Sequence, residues 1–494
     1  MRVPIFIAPT QPAPHHISIL LFHMTSHPLT ILFVIRNTSA IYSYKSILSA
    51  MLLRGHRVEA SFERLEENWT GGFYLEPLKE FKRAFPAFSY HWSYQRKDFW
   101  VTALQYVRTI LSYRRFLCVS GQSPYYRDRL VSYLPLPLSL ALRAPILGSA
   151  VRFLLKRNSA GAALWFLEHR IPPSPLLIDQ IKRISPDVVV ASAGNLILSS
   201  ADVEYLKAAS SLGIPTVFPV ISWDYLATKG ILPSSIDEVL VWNEAQRKEG
   251  VTHHGLPSNR MVTTGAFYFD EWFGPRGASL TRHEFCARHD LRPKDPIVVY
   301  LGSSKNMAKN ETGLVREIRQ AFDAHDDPRV RATQIIVRPH PANGKIYASL
   351  NLHDVVVIPE GGALPDHAAS FQLFSDTLSH VAAVIVGVNT TAVLESIVAG
   401  KPCIALLTEQ YRNTQQDTLH FQQLLSADAL ECAYTSEEVA LRFASLLNGN
   451  DERRTNRDAF IASYIRPRGL DVSAADHAVD EIERIVGVRN TRVQ

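Results

Sequence analysis

The sequence lacks clustered cysteines. Its four cysteines, Cys118, Cys286, Cys403 and Cys432, are far apart, and there is no CxxC pair or Cys/His cluster. This spacing excludes a disulfide framework and structural zinc, and it fits a protein of the reducing cytoplasm. Histidines and acids at metal-ligand spacing are also missing, so we expect no metal and no bound cofactor.

Long apolar runs are missing too. Residues 1–24 are rich in Pro and His and then briefly apolar, without the basic start of a signal peptide, and we expect a disordered extension. The most apolar stretch, Leu134–Leu155, is interrupted by Pro135, Pro137, Arg143, Pro145 and Arg152. It falls short of the roughly 20 apolar residues that a membrane-spanning helix needs. We therefore predict a cytoplasmic protein without a transmembrane helix.

Charge is distributed unevenly along the 494 residues. The formal net charge is +5, but residues 82–157 carry +11 because they hold 13 Lys/Arg and two acids. Aromatic and Arg residues alternate with Leu here at helical spacing, which predicts several helices. Three hypotheses remain open: helices packed on the first domain, a surface for an anionic membrane or lipid-linked acceptor, and a nucleic-acid surface. No nucleic-acid module is recognisable, and we expect no nucleic-acid partner.

Two α/β halves follow from the hydrophobic pattern. Buried strands at 29–35, 186–192, 214–221 and 237–243 alternate with helices, and the pattern restarts at 296–304. Such βαβ units predict parallel sheets. We predict a first Rossmann-like domain over 25–275 with a helical excursion at about 75–180. A second domain follows over 276–465, and residues 466–494 form a closing helix and tail.

The segment Val384–Pro402 is the most informative. It predicts a buried strand, a tight turn at Asn389, Thr390 and Thr391, and a helix from Ala392. Such a turn leaves the first helical N–H groups unpaired, and these groups favour an anion. Glu395 lies one turn into the helix, where a carboxylate can reach ribose hydroxyls. Phosphate at the turn and ribose on Glu395 together suggest a nucleoside diphosphate site, although capped helices are common in α/β proteins.

Other candidate residues follow strand ends, where open parallel sheets bind ligands. Ser303 and Ser304 follow the first strand of the second half, and Arg338 and His340 follow the next in the sequence RPHP. Arg offers a planar fork for phosphate, and His a hydrogen bond. In the Thr408–Phe421 stretch, Gln415, Asp417 and His420 are candidates for sugar contacts; a capped loop before a helix is the alternative.

Asp224 is the candidate base in the first half. It lies in SWDYLATKG, just after a predicted strand, next to Trp223 and near Lys229. A carboxylate at a strand end can take a proton from an acceptor hydroxyl. It can also cap the following turn, and the sequence leaves both roles open.

The chain resembles the GT-B superfamily of nucleotide-sugar glycosyltransferases. The stretches ISWDYLATKG, VLVWNEAQRKEGVTHHGLP and TTGAFYFDEWF, and the run from RPHP to NTTAVLES, resemble a bacterial glycosyltransferase-like group. The second half is also similar to CDP-glycerol glycerophosphotransferases and to polysialyl- and Kdo-transferases. This resemblance implies two Rossmann-like domains facing across a cleft. It implies that His340-Pro341 and Thr390-Thr391 hold the donor nucleotide, and that Glu395 takes the ribose.

From these expectations we predict a metal-independent glycosyltransferase. It would move a sugar from a nucleotide-activated donor to an acceptor hydroxyl in cell-surface polysaccharide or glycolipid synthesis. Asp224 and His340 are the predicted catalytic residues. The acceptor is open, with a lipid-linked one and peripheral contact with the inner face of an anionic membrane included. The alternatives are a CDP-glycerol-type glycerophosphotransferase, a UDP-sugar epimerase and a non-catalytic nucleotide-binding protein.

Overall fold

A computed structural model describes residues 27–63, 75–121, 123–192, 201–274, 278–364 and 368–493. The predicted extension at 1–24 lies outside these residues. The described chain forms two parallel sheets, one of seven strands and one of six, each flanked by helices. The predicted α/β fold with two Rossmann-like domains is confirmed.

The first sheet has the order β3-β2-β1-β4-β5-β6-β7, and the second β10-β9-β8-β11-β12-β13. The strands are β1 Thr30–Ile35, β2 Arg57–Phe62, β3 Phe88–Trp92, β4 Val188–Ser192, β5 Thr216–Pro219, β6 Glu238–Val241, β7 Met261–Thr263, β8 Ile297–Leu301, β9 Gln334–Arg338, β10 Val355–Val357, β11 Ala383–Val386, β12 Cys403–Leu406 and β13 Glu431–Ala433.

The helices cover both faces of each sheet. They are α1 Lys45–Leu53, α2 Leu75–Ala84, α3 Phe99–Cys118, α4 Pro124–Val131, α5 Leu136–Arg143, α6 Pro145–Lys156, α7 Asn158–Arg170, α8 Pro175–Ile184, α9 Ala201–Ser211, α10 Tyr225–Thr228, α11 Glu244–His254, α12 Arg282–Arg288, α13 Thr312–Asp323, α14 Pro328–Arg331, α15 Ala368–His380, α16 Ala392–Val398, α17 Leu419–Ser426, α18 Ser436–Leu447, α19 Arg454–Phe460 and α20 Ala474–Val493. Short 3-10 helices follow several strands, among them Phe267–Phe273 and Pro341–Ser349.

In the first sheet the strand cores are almost continuously apolar. All residues of β4 are buried, as expected for a parallel strand with helices on both faces. The edge strand β3 corrects the sequence prediction, which placed Phe88–Trp92 among helices. Its sequence FSYHW alternates aromatic and polar residues, the period of a strand, and it pairs with β2 in parallel register.

The second sheet places the predicted nucleotide turn at its centre. β11 lies between β8 and β12 and ends just before Asn389. β8, which is followed by Ser303, pairs with β11, and β9, which ends at Arg338, pairs with the other side of β8. The three-residue edge strand β13 was not predicted, because three residues are too few to establish an alternating pattern.

The basic segment folds largely into helices, as predicted. Helices α3 to α7 pack on one another, and a small apolar core of Tyr113, Phe116, Tyr126, Leu130, Leu134 and Leu142 joins α3, α4 and α5. The exposed side chains and the buried arginines of this segment therefore lie in different environments.

The last helix, α20, returns to the first domain. Its Ala478, Val479 and Ile482 are buried in the core that also contains β1 and α1. Arg54 at the end of α1 donates to Asp476 and Asp480 on α20. Residues from the end of the chain therefore complete the hydrophobic core of its beginning.

Among the described residues, no single helix is long and apolar enough to cross a membrane. Helices α5 and α6 satisfy the same length and composition test only as a pair, and that pair is bent by 116°.

Candidate functional site

A cavity of about 670 Å³ lies between the two sheets, at the carboxyl ends of their strands. Side chains from both domains line this cavity. The polar and charged residues in its wall are Arg36, Tyr126, Arg129, Tyr133, Ser222, Asp224, Tyr225, Lys229, Tyr268, Ser304, Asn306, Arg338, His340, Asn389, Thr390, Thr391, Glu395 and His420. The cavity has the size and position of a ligand site in an open α/β protein.

Arg338 and His340 form one wall at the end of β9. The Arg338 side chain is buried, donates to the Ala363 carbonyl at 3.1 Å, and stacks over the Phe374 ring at 4.1 Å. These contacts fix the guanidinium in place at the cavity wall. A fixed guanidinium is suited to phosphate because its N–H groups already have the required geometry.

The protonation of His340 follows from its backbone contact. Its Nδ1 accepts a hydrogen bond from the Ala342 N–H at 3.1 Å, so the neutral ring carries its proton on Nε2. Burial lowers the pKa of His340 to about 4, and the ring is neutral at pH 7 without a ligand. His340 therefore offers one neutral donor to the cavity.

The Asn389–Thr391 turn leads into α16 at the predicted position. The first N–H groups of α16, however, are not left unpaired. The N–H groups of Val393 and Leu394 donate to the carbonyls of Thr390 and Thr391, and that of Ala392 to the Thr390 hydroxyl. The prediction of unpaired N–H groups is wrong for these three, because two of them bond to carbonyls three residues earlier and the third to a side-chain hydroxyl two residues earlier.

Glu395 is the acidic group that the second domain contributes to the cavity. Its side chain is 2% exposed and accepts a hydrogen bond from the Tyr268 hydroxyl at 2.8 Å. Burial raises its pKa to about 7, although the Tyr268 bond and the Arg338 charge act against this. Glu395 is thus a carboxyl group close to half-ionised at neutral pH, with one oxygen already engaged.

Asn389 and His420 connect the turn to α17. The Asn389 amide donates to the Thr414 carbonyl at 3.1 Å and to His420 Nε2 at 2.7 Å. The His420 ring meets the Trp223 ring of the first domain edge-on at 4.7 Å. This contact brings the Asp224 loop and the Asn389 turn together across the cavity.

Asp224 lies on the opposite wall. The Ser222 hydroxyl donates to its carboxylate, as do the Thr228 hydroxyl at 2.8 Å and Lys229 Nζ at 3.1 Å. Burial acts to raise the pKa of Asp224, but Lys229, His420 and the two hydroxyls together lower it well below its ordinary value. The carboxylate makes no capping bond to the N–H groups of α10, so it is not a simple turn cap.

Several cavity residues were missed by the sequence analysis. Arg36 follows β1 directly, and its position at a strand end was the available signal. Arg129, Tyr126 and Tyr133 come from the basic segment, whose helical pattern does not show which side chains face a cleft. Tyr268 lies in a 3-10 helix within the stretch TTGAFYFDEWF, which carried the family resemblance but did not single out this side chain.

The structure brings most predicted site residues together. Asp224, Ser304, Arg338, His340, Asn389, Thr390, Thr391 and Glu395 all line the cavity. Ser303 and Gln415 lie behind the wall: Ser303 N–H donates to the buried Glu311 at 2.5 Å, and Gln415 Nε2 donates to the Val388 carbonyl at 2.7 Å. These two residues support the loops that carry the lining residues. Both residues are buried, and neither is among the residues that line the cavity.

Metal-ligating side chains do not gather in the part of the chain that the structure describes. No group of three or more His, Cys, Asp or Glu residues there has the arrangement to hold an ion.

Comparisons with solved structures show the fold. A glycosyltransferase from Rickettsia africae is 12% identical, with a TM-score of 0.51, over 93% of this chain and 98% of that one. Arabidopsis thaliana UGT89C1 complexed with UDP-L-rhamnose is 14% identical, with a TM-score of 0.50, over 93% and 100%. A UDP-N-acetylglucosamine 2-epimerase is 13% identical, with a TM-score of 0.50, over 93% and 97%.

No protein-family model matches the chain, and no curated protein matches it. The structural likeness extends over both domains, and the predicted GT-B fold is confirmed. At these identities the likeness shows the fold and leaves the activity to the chemistry of the cleft.

Proposed function

We propose that the protein is a glycosyltransferase that moves a sugar from a nucleotide-activated donor to an acceptor hydroxyl. The observation that carries this proposal is the convergence of Arg338, His340 and Glu395 on one cavity wall, opposite Asp224. A cation, a neutral donor and a carboxyl group on one wall match the needs of a diphosphate and a ribose. The opposite wall, with a carboxylate beside a lysine, suits an acceptor.

Arg338 and His340 would bind the donor diphosphate. The guanidinium of Arg338 neutralises charge on the leaving nucleotide, and His340 Nε2–H donates to a phosphate oxygen. An anion next to His340 favours the protonated ring and raises its pKa from the ligand-free value of about 4. These side chains supply the positive charge that a metal ion supplies in other transferases, and the proposed reaction uses none.

Glu395 would take the ribose hydroxyls. Glu395 lines the cavity, and the Tyr268 hydroxyl donates to its Oε1. UGT89C1, which shares the fold, is complexed with a nucleotide sugar, UDP-L-rhamnose. That complex supports a nucleotide sugar as the class of donor for this cleft.

Asp224 would face the acceptor hydroxyl. In the ligand-free protein its low pKa makes it a weak base, because Lys229 and two hydroxyls stabilise its charge. An acceptor hydroxyl that replaces the Ser222 or Thr228 hydroxyl would bond to the same oxygens. The carboxylate would then orient the acceptor and receive its proton as the bond to the sugar forms.

We place this reaction in the cytoplasm, in the synthesis of a cell-surface polysaccharide or glycolipid. The acceptor is lipid-linked and reaches the cleft from the inner face of an anionic membrane. The basic segment supports this part of the proposal, since it contributes Arg129 and Tyr133 to the acceptor side of the cavity.

A screen of UDP, GDP, CDP, CMP and dTDP by thermal unfolding tests the donor class. A nucleotide that binds only the folded protein raises its melting temperature. Product analysis with the matching nucleotide sugar then separates the candidates. A glycosyl product needs an acceptor, an epimerised donor needs none, and a phosphodiester product indicates attack at phosphorus. Binding without any product would indicate a non-catalytic protein.

A further inference from the structure

Helices α5, α6 and α7 expose a set of large apolar side chains. On α6, Ile146 is 88% exposed and Phe153 63%. The other large apolar side chains exposed on these helices are Leu136, Leu140, Leu147, Leu154, Phe166 and Leu167. On α6 the exposed apolar residues form two adjacent pairs, Ile146–Leu147 and Phe153–Leu154, that lie seven residues or two helical turns apart, so they share one helix face. A soluble surface rarely carries such a set without a partner.

Cations surround this apolar face, and acids are missing from it. Arg143, Lys156, Arg157 and Arg170 are exposed on the three helices. Two of them stack on exposed rings: Arg157 lies 5.9 Å from the Phe153 ring centre, and Arg170 lies 4.9 Å from that of Phe166. The single acid of α5 to α7, Glu168, is buried against Arg108 and Lys207. The exposed surface of these three helices therefore combines large apolar side chains with positive charge.

Arg115 of α3 and Arg129 of α4 have a different role. Arg115 is buried and donates to the carbonyls of Leu226 and Lys229, and Arg129 lines the cavity. Neither is placed for an outer surface. The exposed face and the cavity residues are nevertheless parts of one packed unit, because Tyr126, Leu130 and Leu142 share a core.

We propose that this face of α5, α6 and α7 docks on a bilayer containing anionic lipid. The apolar side chains enter the interface, and the surrounding cations meet lipid phosphates. The bend of 116° between α5 and α6 suits helices lying along a surface, and the charge pattern selects anionic lipid over a neutral surface. The inference rests on the proposed function, because docking on the bilayer would bring a lipid-linked acceptor next to Arg129 and Tyr133.

Vesicle flotation tests this inference with the full chain. The probes are vesicles of phosphatidylcholine alone and vesicles of phosphatidylcholine mixed with phosphatidylglycerol. The wild-type protein should float with the anionic vesicles, and less so at high salt. The variant Ile146→Ser/Phe153→Ser/Phe166→Ser should lose binding by about tenfold or more. Lys156→Glu/Arg157→Glu should lose the preference for anionic lipid.

Leu441→Ser is the matched control, because Leu441 is also an exposed leucine but lies on α18 of the second domain. It should float like the wild type. Absence of wild-type binding to either vesicle, or equal binding by the triple variant, would overturn the inference. So would a wild-type dimer in light scattering that the triple variant converts to monomer, since the face would then join two copies.

Nucleotide binding is measured on the same variants in the absence of lipid. The triple variant should bind nucleotide like the wild type, because its changed residues lie outside the cavity. Failure of the wild type to bind any nucleotide would contradict the proposed function, while flotation would still decide the docking face.

Discussion

At the scale of single residues, Glu395 combines burial with an acidic group in the cavity wall. Its pKa is raised from about 4.5 in the unfolded chain to about 7 in the folded protein. Between these values the folded protein holds a proton that the unfolded chain has released. The contribution of Glu395 to stability is therefore greatest below pH 4.5, and it falls as pH rises through this window.

The variant Glu395→Gln should remove this loss of stability at rising pH, because a glutamine side chain does not ionise. We expect the variant to gain up to about 3 kcal/mol in free energy of unfolding over the wild type between pH 4.5 and pH 8. Urea unfolding at several pH values measures the difference. Glu360→Gln is the control at an exposed site and should follow the wild type. Parallel profiles for Glu395→Gln and wild type would mean that Glu395 ionises normally in the folded protein.

At the scale of elements, helix α3 holds the loop that carries Asp224. Arg115 donates to the Leu226 carbonyl at 2.8 Å and to the Lys229 carbonyl at 2.5 Å. Ser112 Oγ accepts from the Ile231 N–H at 3.0 Å, and Arg108 donates to the Ile231 carbonyl. Helix α3 thus supplies hydrogen-bond partners for backbone N–H and carbonyl groups of this loop.

Arg115→Met should therefore destabilise the protein by about 2–4 kcal/mol, because two charged hydrogen bonds are lost inside the protein. Urea unfolding measures the loss. Arg127→Met is the matched control on α4, where the side chain pairs with Asp128 at the surface, and it should cost less than about 0.5 kcal/mol. Equal effects of the two changes would show that the Arg115 contacts contribute no stability.

The sequence was sufficient to predict elements whose pattern is local. The strands that became β1, β4, β8, β9 and β11 carry long apolar runs, and the fold class followed from their alternation with helices. The strand ends then gave most of the cavity residues on the second domain. Phe88–Trp92 was missed because its surroundings are helical, and β13 because it is short.

The remaining features depend on packing between distant segments. Arg115 and Arg129 both lie in the helical pattern of the basic segment, yet Arg115 is buried against a loop and Arg129 lines the cavity. Whether the first N–H groups of α16 are paired depends on the hydrogen bonds that close the preceding turn. No periodicity in the sequence separates these cases, because each depends on which partner lies opposite in the fold.

At the scale of the whole molecule, the two domains meet through specific contacts around the cleft. Tyr268 donates to Glu395, the Asn243 amide donates to the Tyr464 carbonyl at 2.8 Å, and Trp223 packs on His420. Ser123 on the basic segment donates to the Asn413 carbonyl of the second domain at 2.6 Å. The cavity walls formed by the two domains are therefore held opposite each other.

We propose that the second domain binds a nucleotide donor through His340, while the first domain activates the acceptor through Asp224. Asp224→Asn should keep nucleotide affinity and lose turnover by about 10²–10⁴-fold. His340→Ala should lose affinity by about tenfold or more, because a hydrogen bond to a charged phosphate is removed. His353→Ala is the matched control, at an exposed histidine paired with Asp323.

Calorimetric titration of wild type, His340→Ala and His353→Ala with the nucleoside diphosphate from the screen is the most direct measurement. We expect one site in the wild type, unchanged affinity in His353→Ala and at least tenfold weaker binding in His340→Ala. Wild-type affinity in His340→Ala, or no binding by any nucleotide to the wild type, would contradict this proposal.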